Sequence, residues 1–184
     1  KDGLGKAVRA LEIGRWGLCD LERPPGLDDL KSAIVRPGPD RLWQLAEAMR
    51  LGVTDVEAHQ LTKIDPWFLR HLREIIDEDE AARKDGAAGL EDAVKLERRK
   101  RMGFSDRRLM KLAGVSEDQV REARLKHGIR PVFKRVDTCA AEFEAQTPYM
   151  YSSYERPLEE RVGAPAVAES EVRPTGRKKI VILG

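Results

Sequence analysis

The residues best able to do chemistry in this sequence are three histidines, two cysteines and a run of four carboxylates. His59, His71 and His127 do not fall at a metal-ligand spacing such as HExxH, and no Ser or Cys stands in a nucleophile motif. Histidines without such neighbours serve as surface or packing residues. Cys139 lies in the small-residue run Thr138-Cys139-Ala140-Ala141, where a buried, inert thiol is expected. With only Cys19 for company it makes neither a disulfide framework nor a zinc site. Asp77-Glu78-Asp79-Glu80 reads as the solvated face of a helix, since crowded acids there are far commoner than a catalytic pair. No glycine-rich run offers a phosphate cradle.

The strongest motif is SDRRLMKLAGVSEDQVREARLKHG, which begins at Ser105. Two short helices meet at Ala113-Gly114, Val115 packs behind the turn, and a capped second helix presents Gln119, Arg121 and Arg124. That is the outline of a helix-turn-helix DNA-binding module centred on residues 105–127. Residues 98–135 hold thirteen Lys or Arg against four Asp or Glu, so this region could face phosphates. The competing reading is a tight corner in an ordinary helical domain.

The elements that must position these residues are mainly helical. Leu42, Leu45, Ala46 and Met49 share one face of a first helix opened at Asp40 and stopped at Gly52. A short second helix follows Thr54. Asp65 caps a third, with Pro66 at its first position and Trp67, Phe68, Leu72, Ile75 and Ile76 along one side to about Lys84. Leu90, Ala93, Val94 and Leu96 begin a fourth that ends near Gly103; two more run from Ser105 or Asp106 to Gly114, and from the Ser116/Gln119 capping box to Gly128. The expected core includes Leu42, Leu45, Trp67, Phe68, Leu72, Ile75, Leu109, Leu112 and Val120. Residues 1–18 read as the end of a helix, and the Pro-Gly clusters at 24–26 and 37–39 as punctuation. After Pro131 the pattern becomes extended, packed chain. Residues 156–176, with Pro157, Pro165 and Pro174, have linker composition, and Ile180 to Leu183 reads as a buried parallel strand.

Composition sets the class. The 184 residues are 41% hydrophobic and 36% charged, too apolar for disorder and too rich in helix formers for a β-sandwich. A net charge of +2 gives no overall case for nucleic acid or a membrane as partner. No apolar run is long enough to span a bilayer, and a reducing cytoplasm fits the sparse cysteines. Both ends read as continuing into a longer protein.

Several blocks resemble the large subunit of carbamoyl phosphate synthase. The most specific is PVFKRVDTCAAEFEAQTPYMYSSYE at 131–155; DRLWQLAEAMRLG at 40, LTKIDPWFLRHLREI at 61 and RMGFSDRRLMKLAGVSEDQVREAR at 101 stand in the family's order. KAVRALEIG at 6 is similar to the exit from that family's first ATP-grasp half, and KKIVILG at 178 to the first strand of its second. The resemblance implies four parts: residues 1–22 as the tail of the carboxyphosphate half, 23–155 as a helical connecting and oligomerisation domain, 156–176 as a linker, and 177–184 as the opening strand of the carbamoyl phosphate half. It implies a glutamine-hydrolysing, ATP-dependent carbon–nitrogen ligase feeding arginine and pyrimidine synthesis. The flanking halves of the same chain and a glutaminase small subunit are its partners. ATP, Mg or Mn, and K belong to those halves, so no catalytic, cofactor or metal residue is expected here.

The family's connecting domain is associated with self-assembly, and Ile34 and Val35 are the expected contact. They form an apolar pair before the Pro37-Gly38-Pro39 turn, outside any amphipathic stripe. Exposed, such a pair suits a two-fold interface between copies; the alternative is that both pack under the loop.

Overall fold

A computed structural model describes residues 1–18, 21, 25–137, 142–143, 149–154, 170–178 and 180. Among these are eight α-helices and two short strands, so the chain is mainly α. It divides into two compact units, Lys1–Ile129 and Arg130–Gly184.

The first unit contains α1 (Asp2–Ala10), α2 (Leu27–Ile34), α3 (Arg41–Arg50), α4 (Asp55–Thr62), α5 (Pro66–Asp85), a 3₁₀ turn (Gly86–Leu90), α6 (Ala93–Arg101), α7 (Asp106–Ala113) and α8 (Glu117–Lys126). Side chains satisfy the free amides at most of these helix starts, as a helix end requires. Thr54 Oγ1 accepts from the Glu57 amide at 3.1 Å. Asp65 Oδ1 accepts from Trp67 at 2.8 Å, and Asp92 Oδ1 from Val94 at 3.0 Å. At α8 both arms of the Ser116/Gln119 capping box are present. Gly114, at φ +68°, ends α7 in the left-handed conformation.

Two elements differ from the sequence reading. Helix α2 was not expected: Gly26 opens it, and Leu27, Leu30 and Ile34 make a short buried stripe. The expected fourth helix begins three residues late, because Gly86 and Gly89 hold a 3₁₀ turn through Leu90 before Asp92 caps α6.

The apolar core joins α2, α3 and the first half of α5 through Leu30, Ile34, Trp43, Leu45, Met49, Leu69, Leu72 and Ile76. Trp67 and Phe68, expected inside it, are 55% and 58% exposed. The buried stripe of α5 is Leu69, Leu72, Ile76 and Asp79, an i, i+3, i+7, i+10 row. Trp67 and Phe68 precede that row in the helix's first turn and point off its edge. Ile75 and Leu42 are partly buried against the core, and Leu45, Leu109, Leu112 and Val120 are buried.

Arginines staple this core by its carbonyls. Arg41 donates to Ile34 O at 2.7 Å and Thr62 O at 2.9 Å, joining the ends of α2 and α4. Arg73 on α5 donates to Met49 O at 2.7 Å, Val53 O at 2.5 Å and Asp55 at 3.0 Å, closing the α3–α4 turn.

In the second unit, β1 (Val132–Arg135) and β2 (Met150–Ser153) pair antiparallel, Val132 opposite Ser153 and Arg135 opposite Met150. This is the extended, packed chain that the sequence pattern after Pro131 predicts, resolved into a paired hairpin. Ser170 and Glu171, in the stretch expected as linker, also bond to β1: Glu171 N donates to Phe133 O at 2.8 Å, and Arg135 N to the Glu171 carboxylate at 2.6 Å. That bond, with Lys134 nearby, holds the Glu171 carboxyl below its usual range. Cys19, Cys139, residues 155–169, and residues 179 and 181–184 of the expected terminal strand lie outside the described residues.

Candidate functional site

The residues with chemical potential are concentrated where α5, α6, α7 and α8 meet, and they are engaged with one another. Helix α5 faces this region with Glu78 and Asp79, which are 7% and 3% exposed. The expected solvated acidic face is therefore half wrong: Asp77 faces water, but Asp79 continues the buried row three residues beyond Ile76. Arg108 on α7 meets Asp79 in a two-pronged pair, Nε to Oδ1 and Nη2 to Oδ2, each 2.7 Å. At 1% exposure this guanidinium has little water to replace its carboxylate.

A second pair joins α6 to α5. Arg99, also 1% exposed, donates to Glu78 at 3.0 Å and to Asp85. The Arg99 hydrogen bond, followed by that of Lys95, holds the Asp85 carboxyl below its ordinary value. A third cluster closes the α6–α7–α8 corner. Lys100 Nζ donates to Phe104 O at 2.7 Å and to Asp106 at 2.6 Å. Arg124 donates to Asp106 at 3.2 Å and to Ile129 O at 3.1 Å. Burial pushes the Lys100 ammonium below its ordinary pKa, against the pull of Asp106. For Asp106 burial is the largest single influence and opposes ionisation; Lys100 and Arg124 together override it, and its carboxyl sits below the usual range.

This bonding decides the helix-turn-helix question. The corner between α7 and α8 exists, but Arg108 and Arg124 turn inward and Gln119 caps its own helix. Arg107 pairs with Glu117 at 3.1 Å and stacks 4.8 Å from the Trp16 ring. Of the three expected base readers only Arg121 stays exposed without such a role. The basic count was correct as arithmetic, but part of that charge is spent inside the domain.

The histidines serve separate local purposes. His59 Nδ1 lies 2.8 Å from Ile64 O, His71 meets the Trp67 ring edge-on at 4.3 Å, and His127 ends α8. Among the described residues no group of three His, Cys, Asp or Glu is placed to hold a metal, and no helix is long and apolar enough to cross a membrane.

The expected exposed pair is corrected as well. Ile34 is the last residue of α2 and fully buried in the core, because it completes the Leu27–Leu30–Ile34 stripe. Val35, one residue on, is 49% exposed. Together they cannot form one surface patch. The larger apolar surface on this unit is Trp67 with Phe68, whose rings meet edge-to-face at 4.9 Å.

Buried cross-helix ion pairs, satisfied helix starts and arginine-stapled carbonyls define a helical scaffold module. Comparison with known sequences gives the family. The model of the carbamoyl-phosphate synthetase large chain oligomerisation domain matches residues 1–128, and the chain belongs to that family. It is 44% identical to the carbamoyl phosphate synthase large chain of Rhizobium meliloti (strain 1021). To those of Gemmatimonas aurantiaca and Vibrio parahaemolyticus it is 44% and 41% identical. Each comparison spans all of this chain and 16% of the relative.

Proposed function

We propose that this chain is the connecting and oligomerisation segment of a large chain that makes carbamoyl phosphate from bicarbonate, ATP and glutamine-derived ammonia, supplying arginine and pyrimidine synthesis in the cytoplasm. In this reading residues 23–155 bridge two ATP-grasp halves, which bind ATP, Mg or Mn, and K, while a separate glutaminase subunit releases the ammonia. The segment performs no step itself. The observation that carries the reading is the mutual satisfaction of Asp79 with Arg108, Glu78 with Arg99, and Asp106 with Lys100 and Arg124. Side chains that could hold phosphate or metal instead hold helices at fixed separations, which suits a spacer between sites that exchange an unstable intermediate.

Self-association is part of the same proposal. Its contact uses Trp67, Phe68 and Val35 rather than Ile34, because these three are exposed whereas Ile34 is fully buried. Calorimetry of this chain with ATP and magnesium should be flat, and sedimentation should show concentration-dependent assembly that Phe68→Glu weakens without loss of helix content. Saturable ATP binding would contradict the non-catalytic assignment. A strict monomer at high concentration would contradict the assembly role.

A further inference from the structure

Helix α1 packs Val8 and Leu4 on the apolar core, and beside these side chains a seam of close glycine contacts joins it to the body. A cavity bordered by Gly5, Val8, Trp16, Gly17, Phe104 and Arg108 runs beside this seam. At one end two backbones approach closely. A methyl group at Gly5 would stand 2.8 Å from Gly103 O, and one at Gly103 would stand 2.9 Å from the Asp2 Cα. Gly103 also holds φ +93°, a conformation other residues adopt only with strain. Arg9 fastens this end by donating to Gly103 O at 2.9 Å.

At the other end, a methyl group on Gly17 would lie 2.7 Å from Arg108 Nε. That guanidinium cannot swing aside cheaply, because both prongs are held by Asp79. The Gly17 carbonyl accepts from Trp43 Nε1 at 3.0 Å, and Arg15 reaches Asp40 at 2.7 Å while lying 4.4 Å from the Trp43 ring centre.

We infer that Gly5 and Gly17 are positioning residues: by seating α1 and the Arg15–Leu18 segment directly on Gly103 and on the Arg108–Asp79 pair, they fix the orientation of the preceding half of the large chain relative to the helical body. The inference rests on the function proposed above. Contacts at van der Waals limit against backbone and a locked guanidinium transmit displacement, whereas a flexible side-chain contact absorbs it. An added methyl at Gly5 therefore displaces α1, and one at Gly17 displaces the Arg15–Leu18 segment, without touching any reacting group.

The test uses the full-length large chain with ammonia as nitrogen source, comparing Gly5→Ala and Gly17→Ala with the unsubstituted protein. Three rates are read: ATP hydrolysis with bicarbonate alone, ATP formation from carbamoyl phosphate and ADP, and complete synthesis. The first two report one half each, and the third needs passage between them. Both partial rates should stay close to those of the unsubstituted chain, while complete synthesis falls about tenfold and more ATP is consumed per product. Hydrogen exchange should show α1 amides losing protection while those of α3 and α5 keep theirs. The inference is overturned if complete synthesis falls only in step with the partial rates, if it does not fall, or if both variants unfold throughout. An unsubstituted chain that performs neither partial reaction would instead overturn the ligase reading.

Discussion

Helix α5 has two halves that stabilise the fold by opposite means. Its first half buries Leu69, Leu72 and Ile76 beside α3 and α4, in a core whose polar groups include Thr62, carbonyls stapled by arginine, and the buried Glu47 paired with Arg50. Its second half sets Glu78, Asp79 and Asp85 against Arg99 and Arg108. Apolar packing is tolerant: a leucine there can be replaced by another hydrophobe of similar volume at modest cost. A buried ion pair is intolerant, because each partner alone is a desolvated charge. The first half buries apolar surface, and the second ties α6 and α7 to α5 through paired charges.

The largest expected effect breaks the charged half. Asp79→Ala strands Arg108 and should cost about 3 to 5 kcal/mol in denaturant unfolding. Leu69→Ala, in the apolar half, should cost about 2 to 5 kcal/mol, depending on how far the cavity collapses. Leu69→Met should recover most of that loss, whereas Asp79→Asn should recover little. If Asn is tolerated as well as Met, the two halves are not different in kind.

Acid should separate the halves next. The Asp106 carboxyl titrates below its ordinary value in the folded chain. Its contribution is therefore complete above the unfolded carboxylate range and is lost as pH falls through the lowered folded value. Lys100, whose pKa is also lowered, acts with the same sign in a different window: at alkaline pH stability again rises, as the buried ammonium loses its proton before the unfolded chain does. Amide exchange followed from neutral to acid pH should expose α7 and α8 before α3 and α4. Simultaneous exposure would mean that Asp106 carries no special share. The smallest expected effect is at a helix start: Ser116→Ala removes one arm of the capping box and should cost about 1 kcal/mol.

Local signals are more legible in the sequence than long-range pairs. Caps at Thr54, Asp65, Ser105 and Ser116, and the stop at Gly114, are local chemistry that two or three residues determine, and each appears where its motif lies. Helix α2 escaped notice because it is short and lies between proline-glycine clusters, although the spacing of Leu27, Leu30 and Ile34 was visible. The charged half was misread for a different reason. Asp79 and Arg108 stand 29 positions apart, and no local pattern distinguishes a buried acid from a solvated one. The available signal was that Asp79 extends the row of Leu69, Leu72 and Ile76. Trp67 and Phe68 show the reverse error, since large aromatic side chains at a helix start were read as core when the buried row begins at Leu69.

The central claim is that the domain's charged side chains are spent as structural pairs across helices. A double-mutant cycle on Asp79 and Arg108 tests it most directly. Asp79→Leu and Arg108→Met should each destabilise the chain by about 3 kcal/mol, while the double variant regains most of that loss because no unpaired charge remains, giving a coupling of at least about 2 kcal/mol. A double variant whose loss equals the sum of the two single losses would contradict the account, as would single substitutions without cost.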